Sequence, residues 1–119
     1  MTQEDKQLLL KDLCERVPYG VKINENTQGD FTVIGLTMER VFTTCETEGC
    51  HNDFPIECVK PYLFPLSSIT KKRLEELSEY IDIKNAYVAV EILNSHHIDY
   101  RGLIEKGLAI DATGLNIYC

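Results

Sequence analysis

The first apolar residues of the chain recur at intervals of three and four, as on one face of a helix: Leu9, Leu10, Leu13 and Val17. Thr2 lies three residues before Asp5, a spacing typical of a helix N-cap with an acid in the first turn. Pro18 disfavours helical geometry for the residue before it. The pattern therefore predicts a helix over residues 2–16.

From residue 21 the apolar residues alternate with polar ones, which is typical of β-strands. We predict strands over residues 21–24, 31–36 and 40–45, with a turn at residues 26–30. In the second strand both faces are apolar, which predicts that it is covered on both sides.

After the third strand, residues 46–53 form a predicted polar loop, and residues 54–59 a fourth strand. Pro55 has no N–H to donate to a neighbouring strand, so this strand is expected at an edge of the sheet. Four short strands with tight connections predict a small antiparallel sheet or an SH3-like barrel.

The next segment, residues 60–66, is apolar and carries two prolines. It is expected to pack across the sheet and join two layers. The alternative is an exposed recognition strip formed by Tyr62 and Phe64, which would need a partner. A helix capped by Ser67, Ser68 or Thr70 is predicted next, and its inward residues are Leu74, Leu77, Tyr80 and Ile81.

Residues 87–93 fit both an alternating and a helical pattern, and we favour the helix. Asp99 is a predicted N-cap of a last helix, whose apolar residues are Leu103, Ile104, Leu108 and Ala109. Gly102 and Gly107 weaken this helix and are expected to permit close packing. Gly114 is its predicted stop.

These elements predict a single α+β domain over residues 1–119, with an N-terminal helix, a small sheet or barrel and a C-terminal helical part. The chain has 119 residues, enough for one core. No apolar run approaches the ~20 residues of a transmembrane helix. The acidic start is unlike a secretory signal, so we expect a cytoplasmic protein that does not bind membranes.

The charge of the chain weighs against nucleic acid as a partner. Its formal net charge is −7, from 19 acidic and 12 basic residues. A phosphate backbone rewards clustered lysine and arginine, and the adjacent Lys71, Lys72 and Arg73 are interpreted as a solvated helix surface.

The first candidate for chemistry lies at residues 96–101, which contain His96, His97, Asp99, Tyr100 and Arg101. Imidazole beside a carboxylate can support acid–base chemistry, and arginine can hold a phosphate. Adjacent histidines point in different directions, however, and no nucleophile motif accompanies them. We interpret the block first as a structural corner, second as a ligand or partner site, and third as a catalytic site.

The spacing of the five cysteines matches no strong metal-binding motif. Cys45, Cys50, His51 and Cys58 could close a zinc site, but no C-x2-C pair is present. Reduced, metal-free thiols are expected, with Cys14 packed, Cys45 and Cys58 buried, and Cys119 exposed. The acids around residues 46–57 lack the spacing of a calcium loop and are interpreted as solvated surface.

Three stretches resemble a family of small proteins from gut Bacteroidales and their phages or prophages. They are residues 18–22, residues 59–68 and, most distinctively, residues 93–109, LNSHHIDYRGLIEKGLA. Ile92 and Ile98 stand where that family is associated with aromatic residues. The family has no established activity, so the resemblance implies a setting and not a reaction.

The resulting functional hypothesis is a non-enzymatic accessory or interaction protein of a phage or mobile element. It would bind a host protein, another host macromolecule or a small ligand. Interference with host defence is one possible outcome of this binding. No cofactor is expected. The alternatives are a small enzyme acting on a phosphorylated or nucleotide substrate through residues 96–101, or a protein that sequesters such a ligand. Each of these hypotheses is compatible with an oligomeric protein.

Overall fold

A computed structural model describes residues 1–25, 27–44, 51–68 and 86–118. The helices are α1 (Gln3–Arg16) and α2 (Ala86–Ser95). The strands are β1 (Lys22–Glu25), β2 (Gly29–Leu36), β3 (Arg40–Thr44), β4 (His51–Pro55), β5 (Val59–Pro65), β6 (Ile98–Asp99) and β7 (Ile110–Asp111). The predicted helix around Leu74 and Tyr80 lies outside these residues, and Ser67 and Ser68 belong to a 3-10 turn, Leu66–Ser68.

Helix α1 begins as the sequence predicts. The Thr2 hydroxyl accepts the Asp5 N–H, and the Asp5 carboxylate accepts the Thr2 N–H, which completes a capping box. At the other end the α-helix stops at Arg16, and a 3-10 turn, Val17–Tyr19, contains Pro18. The predicted helix and both of its boundaries are confirmed.

Five strands form an antiparallel sheet in the order β4-β3-β2-β1-β5, and β6 and β7 each pair with β5 in parallel. The α+β class is therefore confirmed. The predicted SH3-like barrel is not confirmed, because the described strands form an open sheet with β4 and β6 at its ends.

The core lies between α1 and one face of this sheet. Its buried apolar residues are Leu9, Leu13, Val21, Ile23, Phe31, Val33, Val41, Phe54, Ile56, Val59, Leu63, Leu103, Leu108 and Ala109. The prediction that β2 is covered on both sides is wrong, since Ile34 is 52% exposed while Val33 is 2% exposed. Side chains alternate between the two faces of a strand, so Ile34 lies on the face opposite Val33, and a β-bulge interrupts the register at this position.

The fourth strand lies earlier than predicted. His51 and Asn52, expected in a loop, pair with Thr44 and Thr43 as part of β4. This strand ends at Pro55, and a 3-10 turn, Ile56–Cys58, precedes β5.

Residues 60–66 were expected to pack across the sheet and join two layers, and this is wrong, because they lie mostly within the sheet as β5. Its antiparallel partner is β1, where Pro61 faces Ile23. On the other side Phe64 pairs with Ile98 and Tyr62 with Ile110. Strand β5 is thus the strand that joins the N-terminal and C-terminal parts of the chain.

The helix predicted over residues 87–93 is confirmed as α2, but the last predicted helix is wrong. After Asp99 the chain makes turns and enters β7, so Gly114 is no helix stop. Gly102 and Gly107 have φ of +75° and +74°, outside right-handed helical geometry. An added Cβ would meet nothing within 4 Å at either glycine, so they are needed for their backbone angles and not for close packing.

The C-terminal residues return to the sheet through Tyr118. Its hydroxyl accepts the Lys22 N–H at 2.8 Å and donates to the Tyr62 carbonyl at 2.7 Å. This side chain therefore ties the end of the chain to β1 and β5. No helix in the described part of the chain is long and apolar enough to cross a membrane.

We predict that Gly102→Ala lowers the free energy of unfolding by about 1 kcal/mol, because an L residue is strained at positive φ. Gly35→Ala is the matched control, since its φ is not positive and its Cβ position is equally open. Urea unfolding of both variants checks this. Equal losses would contradict the backbone explanation.

Candidate functional site

The inner face of α1 carries two charged side chains among its leucines. Asp12 and Arg16 are both 0% exposed. The Asp12 carboxylate accepts two hydrogen bonds from Arg16, at 2.8 Å from Nε and 3.1 Å from Nη2. Arg16 Nη2 also donates to the Ile98 carbonyl at 2.6 Å. This buried pair therefore anchors α1 to the strand that follows α2.

Residues 96–101, which we name the corner, complete this network with a second arginine. Arg101 donates from Nη1 to Asp12 at 2.7 Å and from Nη2 to Glu15 at 2.5 Å. Its side chain is 13% exposed. Two acids and two arginines thus share hydrogen bonds, and their formal charges cancel. Arg101 is thus held by two acids of α1.

Tyr100 and Asn94 link this network to α2. The Tyr100 hydroxyl donates to Glu15 at 2.8 Å and lies 3.1 Å from the Asn94 side-chain oxygen. Burial acts to raise the pKa of Glu15, but hydrogen bonds from Arg101 and Tyr100 outweigh it, so the pKa lies below its usual value. Glu15 therefore remains a carboxylate that holds these groups together.

His97 is packed and does not face solvent. It is 6% exposed, has φ of +58°, and its ring stacks on Tyr118 with centroids 3.8 Å apart. Burial, and then the positive charge of Arg16, lower its pKa from 6.5 to about 4. The imidazole is thus neutral at pH 7, and its Nδ1 has no hydrogen-bond partner among the described residues.

Asp99 binds the backbone of the turn that follows the corner. Its two carboxylate oxygens accept the N–H groups of Leu103 and Ile104, each at 2.9 Å. These are the bonds of a helix cap, although the residues that follow form a turn and no helix. The predicted capping role is correct in its hydrogen bonds and wrong in the element that it caps.

The remaining predicted site residues lie apart from one another. His96 is exposed, next to the buried His97. Tyr62 is 7% exposed and donates to Asp30 at 2.6 Å, and burial followed by this hydrogen bond raises its pKa to about 12. Phe64 is half-buried, with its ring centroid 6.0 Å from that of Tyr118. An exposed recognition strip of Tyr62 and Phe64 is therefore excluded.

The predictions that Cys14 is packed and Cys58 is buried are wrong. Cys14 and Cys58 are exposed, not packed. Cys45, Cys50 and Cys119 lie outside the described residues, so the zinc arrangement is not tested. Within the described ranges no three His, Cys, Asp or Glu side chains are grouped as metal ligands.

A cleft lies between α1 and α2, beside the corner. Its volume is about 470 Å³, and its lining residues are Lys11, Glu15, Pro18, Tyr19, Val90, Glu91, Asn94, Tyr100 and Arg101. Asn94 and Arg101 are largely buried, whereas Tyr19 and Val90 are each 37% exposed. The cleft thus combines a polar, internally bonded base with apolar side chains open to solvent.

Sequence reasoning placed Arg101 and Tyr100 near a site but missed three of their partners, Asp12, Glu15 and Arg16. A pattern was present, because Asp12 and Arg16 follow Leu9 by three and seven residues and so share its face of the helix. Tyr118 had no comparable local pattern, since its contacts are formed by residues far away in sequence.

No family model matches the chain, and neither a curated protein nor a solved structure is significantly similar to it. The resemblance to the small proteins of gut Bacteroidales and their phages therefore remains a prediction.

We predict that Arg101→Met lowers the free energy of unfolding by about 2–3 kcal/mol, because it leaves the buried Asp12 partly uncompensated. Arg40→Met is the matched control, since Arg40 pairs with Asp53 at the surface, with both side chains 45% exposed. That variant should lose less than about 1 kcal/mol. Urea unfolding compares them, and a loss in Arg101→Met no larger than in the control would contradict the network.

A second prediction concerns pH. Because folding lowers the pKa of His97 from 6.5 to about 4, the unfolded chain takes up the proton first as pH falls. The contribution of His97 to the free energy of unfolding is therefore complete above pH 6.5. It falls by up to about 3 kcal/mol as the pH decreases toward 4.

Urea unfolding between pH 7 and pH 5 checks this. His97→Asn, which tolerates positive φ, should be less stable at pH 7 and less sensitive to pH than the wild type. His96→Asn should keep the wild-type pH dependence. Identical pH dependence of the wild type and His97→Asn would refute the explanation.

Proposed function

We propose that this chain is a non-enzymatic binding protein that engages a host protein through the cleft between α1 and α2. The proposal rests on one observation, that the charged side chains of Asp99 and Arg101 in the corner form hydrogen bonds within the chain. Asp99 and Arg101 are bound by groups of the same chain. Neither is left to bind or transform a substrate.

The geometry gives less support to an enzyme acting on a phosphorylated substrate. Such a reaction would need His97, Asp99 and Arg101 to face one bound molecule. Each instead contacts a different partner, respectively the Tyr118 ring, two backbone N–H groups and two carboxylates. Arg101 is already neutralised, so it offers a phosphate little additional attraction.

The cleft is suited to binding a partner because its base is held in place. Glu15 connects Arg101, Tyr100 and Asn94, which belong to the corner and to α2. A preorganised surface loses little conformational entropy when it binds. The exposed parts of Tyr19 and Val90 supply apolar area, and tyrosine is among the residues that contribute most at protein interfaces.

A small ligand is the second candidate for the same cleft. Its volume of about 470 Å³ is within the range of small-molecule pockets. The proposed setting, a phage or mobile element, depends on the resemblance of residues 93–109. In that setting a host defence protein is one class of partner.

We predict that combining Tyr19→Ser with Val90→Ser removes partner binding without unfolding the protein, because both side chains are partly exposed. Leu115→Ser is the matched control, since Leu115 is 49% exposed and does not line the cleft. The tagged wild type and both variants are recovered from their host, and co-purifying proteins are quantified by mass spectrometry. We expect that at least one co-purifying protein is about tenfold or more less abundant with the cleft variant than with the wild type.

Thermal unfolding of each variant establishes that it is folded, and native mass spectrometry of the same samples detects any retained small molecule. A retained molecule lost only in the cleft variant would favour the small-ligand candidate. Co-purification that is equal for the cleft variant and the control would contradict the proposal.

A further inference from the structure

A pocket separate from the cleft lies on the outer face of the sheet, opposite the core. Lys22 of β1 pairs with Thr32 of β2, and Thr32 pairs with Thr44 of β3, so these three residues form one row across three strands. All three are half-buried, whereas Ile23 and Phe31, the neighbours of Lys22 and Thr32 along the chain, point into the core. The pocket beside this row has a volume of about 400 Å³.

The C-terminal residues form a wall of this pocket. Asn116 and Ile117 line it, and the next residue, Tyr118, holds the backbone beside them in place. The Tyr118 hydroxyl accepts the Lys22 N–H and donates to the Tyr62 carbonyl, so this part of the chain is fixed beside β1 and β5. We name the space between the row and these C-terminal residues the tail pocket.

Asp30 supplies an oriented negative charge to the tail pocket. It lies two residues before Thr32 in β2, on the same face of the strand, and lines the pocket. Its Oδ1 accepts hydrogen bonds from the Tyr62 hydroxyl at 2.6 Å and from the Asn24 side-chain amide at 2.9 Å. Both bonds are made to the same oxygen, and Oδ2 accepts no side-chain hydrogen bond from the described residues. The carboxylate is thus held in one orientation with an oxygen left for another donor.

Lys22 supplies a positive charge close to this carboxylate. Because Lys22 pairs with Thr32, its position on the sheet is diagonal to that of Asp30, at a separation of about 7–8 Å. The hydroxyls of Thr32 and Thr44 and the amide of Asn116 add hydrogen-bonding groups to the lining. The formal charges of Lys22 and Asp30 cancel, so the pocket complements a ligand that carries one charge of each sign.

We propose that the tail pocket binds a free amino acid, with its ammonium group on Asp30 and its carboxylate toward Lys22. The ammonium group donates to Asp30 Oδ2, and the flexible stem of lysine lets its charge reach the ligand carboxylate. A purely anionic ligand would be repelled by Asp30, and a simple amine by Lys22. The volume is within the range of small-molecule pockets. The tail pocket shares no residue with the cleft, so this inference is independent of the proposed function.

Titration of the isotope-labelled protein with the common L-amino acids, one at a time and followed by NMR, tests the inference. At least one should give saturable shifts of the backbone amides around Lys22, Thr32 and Asn116, and not of those that line the cleft. The amine and the carboxylic acid that each lack one charged group of that amino acid should bind at least about tenfold more weakly. No saturable shift in the millimolar range, or equal binding of a singly charged probe, would overturn the inference.

Two variants test the assigned charges. Asp30→Asn keeps an oxygen that can accept the Tyr62 hydroxyl but removes the charge, so it should weaken amino-acid binding at least about tenfold. Asp53→Asn is the matched control, because Asp53 is 45% exposed on β4 and does not line the tail pocket. Lys22→Met keeps the backbone N–H bound by Tyr118 and should also weaken binding. Thermal unfolding establishes that each variant is folded, and equal affinity of Asp30→Asn and the control would contradict the assignment.

Discussion

The salt bridge between Asp12 and Arg16 is the constraint on which the rest of the structure depends. Both side chains are fully buried on the face of α1 that carries Leu9 and Leu13. A buried charge without a partner is strongly destabilising, so wherever α1 packs, these two groups must be satisfied there. Arg16 is satisfied in part by the Ile98 carbonyl, and Asp12 by Arg101. The helix can therefore dock only where the corner supplies these groups.

This requirement explains why several polar side chains of the corner are directed inward. Arg101 and Tyr100 meet at Glu15, and Asp99 holds the turn that follows. Residues that would suit catalysis if they faced one pocket are instead used to join α1, α2 and the sheet. The proposed contact surface is the cleft beside the corner, where the charges of Asp12, Glu15, Arg16 and Arg101 balance one another.

The sequence predicted best the features determined by neighbouring residues. The capping box of Thr2 and Asp5, the antiparallel strands β1 to β3 and helix α2 all depend on contacts or periodicity within a few residues. Strand β5 was missed because its partners, β1 on one side and β6 and β7 on the other, lie far away along the chain. The apolar pattern after Asp99 was helical in period, but Gly102 at φ +75° breaks it, and one sequence cannot reveal a required backbone angle. In the site, the sequence favoured a structural role for residues 96–101, whereas the acids that Arg101 contacts depended on how α1 packs.

The central claim is that Arg101 is bound within the chain and is not held free for a ligand. A double-mutant cycle on the free energy of unfolding, with Glu15→Gln, Arg101→Met and the double variant, tests it most directly. The account predicts that the double variant is more stable than the sum of the single losses implies, with a coupling energy of about 1–2 kcal/mol. A coupling energy of zero would mean that the two side chains do not hold each other in solution, and it would contradict the account.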